Sequence, residues 1–88
     1  MILVDANLLI YAVNSDSTHH AKARSWWEQT LSASEEVGFA WIVILAFIRI
    51  TTRPGILSNP LTPEQAIAYV DEWLAQPYVS FVDGGENQ

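Results

Sequence analysis

Asp5 is the residue whose type and setting most invite chemistry. It closes the short aliphatic run Ile2-Leu3-Val4 and precedes Ala6-Asn7, which places a carboxylate where a strand gives way to a helix. Hard divalent cations such as Mg²⁺ and Mn²⁺ take oxygen ligands of this kind, and Asn7 can orient the ligand by hydrogen bonding. One carboxylate is not a metal site. Asp is equally a favoured helix N-cap, so from the tripeptide alone both readings of Asp5 stay open.

The other reactive side chains point to chemistry less directly. In His19-His20 the adjacent imidazoles diverge by about 100° around a helix and cannot chelate one ion as an i, i+4 pair can, so packing or capping is the simpler role. Trp26-Trp27 could stack nucleobases, but their place in an amphipathic segment favours core or partner contact. Arg49 and Arg53 flank the end of an apolar helix, where positive charge suits the helix dipole. The same two are candidate contacts to an RNA phosphate, or to an acid near Asp5. Glu35-Glu36 and Asp71-Glu72 read as solvated charges, and Asp83 and Glu86 fall in a flexible end. No Gly-rich phosphate loop is present, and neither a Ser-His-Asp nor a Cys-His arrangement can be assembled. That leaves metal-dependent chemistry or none.

The scaffold for these residues is small. The chain has 88 residues, half of them hydrophobic with four Trp, enough for one modest core and too apolar for a disordered tail. Cysteine is absent, so no disulfide or thiolate zinc site holds the fold. Ten acidic against four basic side chains give a net charge of −6, which argues against charge-driven adhesion to nucleic acid but not against an enzyme that holds it through a metal ion. Met1-Ile2-Leu3-Val4 lacks the basic region of a signal peptide, and the apolar stretch Val37 to Ile48 falls short of the ~20 residues of a spanning helix. The expectation is a soluble, cytoplasmic protein with no membrane partner.

Ile2-Leu3-Val4 has the composition of a buried parallel strand. Leu8, Leu9, Tyr11 and Ala12 give a short helix that stops in Asn14-Ser15-Asp16-Ser17. Thr18 to Leu31 reads as an amphipathic helix with Ala23, Trp26, Trp27 and Leu31 on one side. Val37-Gly38-Phe39-Ala40 is the next strand, and Trp41 to Thr51 a buried helix, judged by its length. Pro54 to Pro60 is a loop. Thr62-Pro63-Glu64-Gln65 carries the strongest local signal, an N-cap, Pro at the first helical position and Gln at the capping-box position. Ala66, Tyr69, Val70, Trp73 and Leu74 continue that helix to Pro77, and Tyr78 to Val82 is a third strand. The order β-α-α-β-α-α-β implies an α/β fold with a parallel sheet and right-handed crossovers, in which ligands bind beyond the carboxyl ends of the strands. Residues 1–83 form one domain and 84–88 a flexible end.

Taken together, Met1 to Asn7, the helix through His20-Ala21-Lys22-Ala23-Arg24-Ser25-Trp26, Trp41 to Thr52, and Pro60-Leu61-Thr62-Pro63 through Trp73-Leu74 resemble the PIN domain, and within it the VapC-type toxins of the mycobacterial branch. The resemblance implies a three-layer α/β fold and a metal-dependent endoribonuclease that cleaves tRNA or ribosomal RNA. It also implies neutralisation by a VapB-type antitoxin. In that family several acids hold Mg²⁺ or Mn²⁺, which activates water for attack on phosphorus. Asp5 matches the first acid and Asn7 the polar residue that supports it.

Two departures matter. Ala46, in Leu45-Ala46-Phe47-Ile48-Arg49, stands where many PIN domains have Glu. The later strands and acids of the family have no counterpart before Gln88, so the domain is expected to be partial, truncated at its C-terminus. With Asp5 as the one matched acid, cation binding is expected to be weak. In the family the first strand is central; without the later strands its edge is exposed, and an exposed edge invites pairing. A homo-oligomer, a swapped assembly, an antitoxin complex or a marginal, aggregation-prone fold is the expected consequence. Two readings follow: a ribonuclease impaired by truncation, or a noncatalytic module that binds an antitoxin or another subunit. A third, outside the family, is a small interaction domain in which Asp5 only caps a helix.

Overall fold

The computed structural model describes residues 1–82; the expected flexible end at 84–88, with Asp83 and Glu86, lies outside the described residues. The elements are β1 (Ile2–Leu3), α1 (Ala6–Val13), α2 (His20–Ser32), β2 (Val37–Ala40), α3 (Trp41–Thr52), α4 (Pro63–Leu74) and β3 (Val79–Val82). The anticipated order is therefore the observed one. All pairing is parallel, with β2 between β1 and β3. Gly38 faces Leu3 on one side and Ser80 on the other.

Strand alternation sends Val37, Phe39 and Val79 inward, while Leu3 and Ser80 on the alternate positions are exposed. Gly38 meets a local need. A methyl group there would stand 2.7 Å from Val82 Cγ2, 2.9 Å from Met1 Sδ and 3.1 Å from Leu3 Cδ2. The core is aromatic. Trp73 of α4 lies within 5.2 Å of Phe47, 5.7 Å of Trp27 and 6.1 Å of Phe39 between ring centroids, so three helices and the central strand meet at one side chain.

Helix α2 begins at His20 rather than Thr18. Asn14 Oδ1 accepts from the Asp16 N–H at 3.2 Å and Ser17 Oγ from the His19 N–H at 3.0 Å, and these local bonds hold the connection in turns. Trp26 does not join Ala23 and Trp27 in the core: Trp27 is 3% exposed and Trp26 42%. Trp27 meets Phe39 of β2 and Trp73 of α4, whereas Trp26, about 100° further round the helix, borders the open groove between α1 and α2.

Helix α3 forms as its length implied, but it is not buried all round. Ile44, Phe47 and Thr51 face inward, and Trp41, Ile42 and Leu45 lie at the surface. The fully buried Thr51 hydroxyl donates to the Phe47 carbonyl at 2.7 Å, which satisfies it inside the core. Helix α4 starts on a complete capping box. The α3–α4 connection turns at Gly55, whose φ of 90° is a left-handed conformation that suits glycine.

Candidate functional site

Parallel pairing brings the carboxyl ends of all three strands to one edge, and Asp5 lies there, two residues past Leu3 and immediately before α1. Its backbone is extended (φ −87°, ψ 146°), as an N-cap residue's is, yet its side chain makes no cap hydrogen bond. Nor does that carboxylate enter any hydrogen bond or salt bridge among the described residues, and the residue is exposed. The capping reading therefore lacks its bond. What remains is an accessible anionic oxygen pair at the strand ends.

Asn7 is exposed in the first turn of α1, and no hydrogen bond joins it to Asp5. Ala46 lies partly buried in the middle of α3 and offers no donor. Arg49 occupies the last turn of α3 and Arg53 its C-cap, both exposed. Helix α3 starts at the strand edge, directly after Ala40, so at 1.5 Å per residue Arg49 stands roughly 13 Å and Arg53 roughly 20 Å along its axis. The two arginines occupy the opposite end of α3 from the edge that carries Asp5.

Among the described residues no three His, Cys, Asp or Glu side chains converge as metal ligands. By type and accessibility Asp5 suits a hard cation, but one carboxylate supplies too few oxygens and too little charge for a cage. The chemistry of the described residues stops at one ligand.

The histidines have structural roles. His20 Nδ1 is 2.9 Å from the Tyr11 carbonyl oxygen, and the His19 ring rests 4.9 Å from that of Tyr11. Both contacts tie the start of α2 to α1.

Two of the concavities lie among the helices. A cavity of about 390 Å³ between α2 and α4 includes His20, Arg24, Trp27, Glu28 and Glu72 in its wall. Arg24 and Glu28 pair across one turn at 3.0 Å, both well exposed. The Trp27 Nε1–H is buried without a hydrogen-bond partner. The second, a shallow apolar groove between α1 and α2, is bordered by Leu8, Tyr11, Lys22 and Trp26. Of the groove's lining, the sequence singles out Trp26 as a possible base stacker and His19 as a packing or capping residue, and gives Leu8, Tyr11 and Lys22 no binding role. Spacing offers a signal for Lys22, since Lys22, Ala23 and Trp26 fall three and four residues apart on one face of α2; for Leu8 and Tyr11 the pairing of α1 with α2 is what brings them there. Among the described residues no helix is long and apolar enough to cross a membrane.

Comparison with known proteins agrees with this architecture. Residues 2–88 match the PIN domain family. Ribonuclease VapC37 of Mycobacterium tuberculosis is 46% identical over 83 residues, which cover 94% of this chain and 58% of the relative. Ribonuclease VapC33 of the same species is 40% identical over 85 residues, 97% of this chain and 59% of the relative. VapC ribonuclease Mb2897 of Mycobacterium bovis is 34% identical over 86 residues, 98% of this chain and 58% of the relative. The chain thus spans somewhat over half the length of these relatives. With a parallel β-α-α-β-α-α-β frame, a free carboxylate beyond its first strand, and a match running from Ile2 to Gln88, the chain belongs to the PIN domain family.

Proposed function

We propose that this chain acts as a VapC-type ribonuclease, the toxin of a type II toxin–antitoxin system. In this reading it is an endonuclease that cleaves RNA, tRNA or ribosomal RNA, with Mg²⁺ or Mn²⁺. A VapB-type antitoxin neutralises it, and it works in the cytoplasm, as a homo-oligomer. Asp5 is the metal ligand this chain contributes, Asn7 supports it, and Arg49 and Arg53 contact RNA phosphates away from the cut. The observation that carries the reading is the position of Asp5, exposed and without a local partner at the strand ends, in a chain related to proteins named VapC ribonucleases. Had Asp5 been spent on the α1 N-terminus, the same sequence likeness would have had no free ligand behind it.

An RNA cleavage assay with Mn²⁺ tests this, comparing the chain with Asp5→Ala. Metal-dependent cleavage that falls to background in the variant is the expected result. Equal cleavage by both proteins overturns the role of Asp5. The second reading, a noncatalytic module that binds an antitoxin or another subunit, draws on the large apolar side chains left at the surface, Leu3, Trp41, Ile42 and Leu45 among them. Absence of cleavage in both proteins, with antitoxin binding retained, would establish that second reading.

A further inference from the structure

Sequence pattern alone assigned both tryptophans of the Trp26-Trp27 pair to one stripe, and the structure divides them. Trp27 enters the core, T-shaped to Trp73 and Phe39. Trp26 remains 42% exposed on the wall of a groove of about 400 Å³ between α1 and α2. Tyr11, 36% exposed, stands in the same groove, with Leu8 and Ala23 as its floor. The ionisable side chains lining it besides Tyr11 are His19 and Lys22, and Lys22 makes no salt bridge among the described residues. No acid lines it, in a chain of ten acids and four basic residues. An indole 42% exposed, near-parallel to the buried Trp27 ring at 6.4 Å between centroids, together with a second aromatic ring and an ammonium group, matches a nucleobase joined to a phosphate: the base stacks and the cation meets the backbone. The location agrees. Leu8 lies three residues after Asp5, less than one helical turn, and shares the groove with Trp26.

From this arrangement we infer that Trp26, Tyr11 and Lys22 form a subsite for one unpaired nucleotide of single-stranded RNA beside the Asp5 edge. Trp26 stacks the base, Tyr11 closes the groove against it, and Lys22 holds the adjoining phosphate. The inference rests on the ribonuclease reading for its substrate, but not on cleavage. Stacking tolerates any base, so the subsite selects unpaired over paired RNA rather than a sequence.

The test is equilibrium binding of a short single-stranded 2′-O-methyl RNA, which resists cleavage, and of the same strand with its bases removed. For Trp26→Leu the expected result is roughly tenfold weaker binding of the base-bearing strand and unchanged binding of the abasic one. Lys22→Gln should weaken both strands and lower the salt slope by about one. Binding is measured in EDTA, so that no metal at the strand edge contributes, and Thr62→Ala, outside the groove, should bind as the parent chain does; this separates failure of the subsite from failure of the nuclease reading. Because Trp26 is at the surface, an unchanged melting temperature for Trp26→Leu will show that its fold is intact. Unchanged binding by Trp26→Leu overturns the inference, as does equal weakening of both strands or failure of the parent chain to bind. Reduced self-association of Trp26→Leu in sedimentation, with RNA binding unaltered, would instead assign the groove to a second copy.

Discussion

Helices α1 and α4 both begin after an extended residue of a type that caps helices, and they use it in opposite ways. At α4, Thr62 Oγ1 accepts from the Gln65 N–H at 3.1 Å and Gln65 Oε1 accepts from the Thr62 N–H at 2.9 Å, so side chains close both ends of the first turn. At α1, Asp5 has nearly the same backbone angles as Thr62, and its carboxylate bonds to nothing nearby. The first arrangement spends its polar atoms on holding a helix in place. The second keeps a strong acceptor and a full negative charge available at the strand edge, which is what a cation ligand requires. The contrast continues along the helices: α4 carries Trp73 into the aromatic core, and α1 carries Leu8 and Tyr11 along an open groove. Both helices bury three residues in the core, but the unpaired carboxylate and the open groove are on the α1 side.

The comparison is challenged hardest at Trp73. Its ring is 6% exposed and touches Trp27, Phe39, Phe47 and Tyr69, so Trp73→Ala removes the side chain on which three helices converge. A loss of about 3–5 kcal/mol is expected. A chain of this length has about 4–13 kcal/mol in total, so the variant should lose a large share of its stability and unfold at a much lower urea midpoint than the parent. A native-like midpoint would show that the core is held elsewhere.

How much of this was legible in the sequence depended on the range of the interactions involved. The capping box at Thr62 and Gln65 was legible because its chemistry spans four residues, and the strand at Val37–Ala40 because β-rich runs bounded by charge are distinctive. Asp5 was legible as a position, since strand end and helix start adjoin in sequence. Its freedom from the cap was not, because carboxylate and hydroxyl have the same preference for that position and only the structure shows which one bonds. Trp26 and Trp27 were misassigned together because hydrophobicity records type, while burial depends on whether an opposing element supplies a surface; α4 and β2 do so for Trp27. The surface residues of α3 illustrate the same limit. Trp41, Ile42 and Leu45 are apolar enough for a core, and nothing local says which of them meets a neighbour.

At the start of α4, Thr62→Ala should cost about 1 kcal/mol, because the Gln65 N–H loses its acceptor while the reciprocal bond from Gln65 survives. The same substitution should leave RNA cleavage and RNA binding unchanged. A matching loss of cleavage would mean that the two helix starts are mechanically linked.

The smallest expected effect discriminates most finely. Asp5→Ala removes a carboxylate that makes no hydrogen bond, so nothing is left unsatisfied in the folded chain and no buried contact is lost. What does disappear is the attraction between a negative charge and the positive end of the α1 dipole, about 0.3–1 kcal/mol at low salt and less as salt screens it. Asp5→Asn separates that charge from shape, keeping an acceptor oxygen in the same position. If the carboxylate is free, Asn and Ala should be destabilised alike, by a few tenths of a kcal/mol at moderate salt, and denaturant midpoints in high salt should converge on the parent's. If Asp5 caps α1 in solution, Asn should rescue what Ala loses, because Asn is as good an N-cap as Asp, and the Ala deficit should persist in salt at about the cost of Thr62→Ala. That second pattern would erase the difference between the two helix starts, and with it the physical ground for treating Asp5 as a ligand held in reserve.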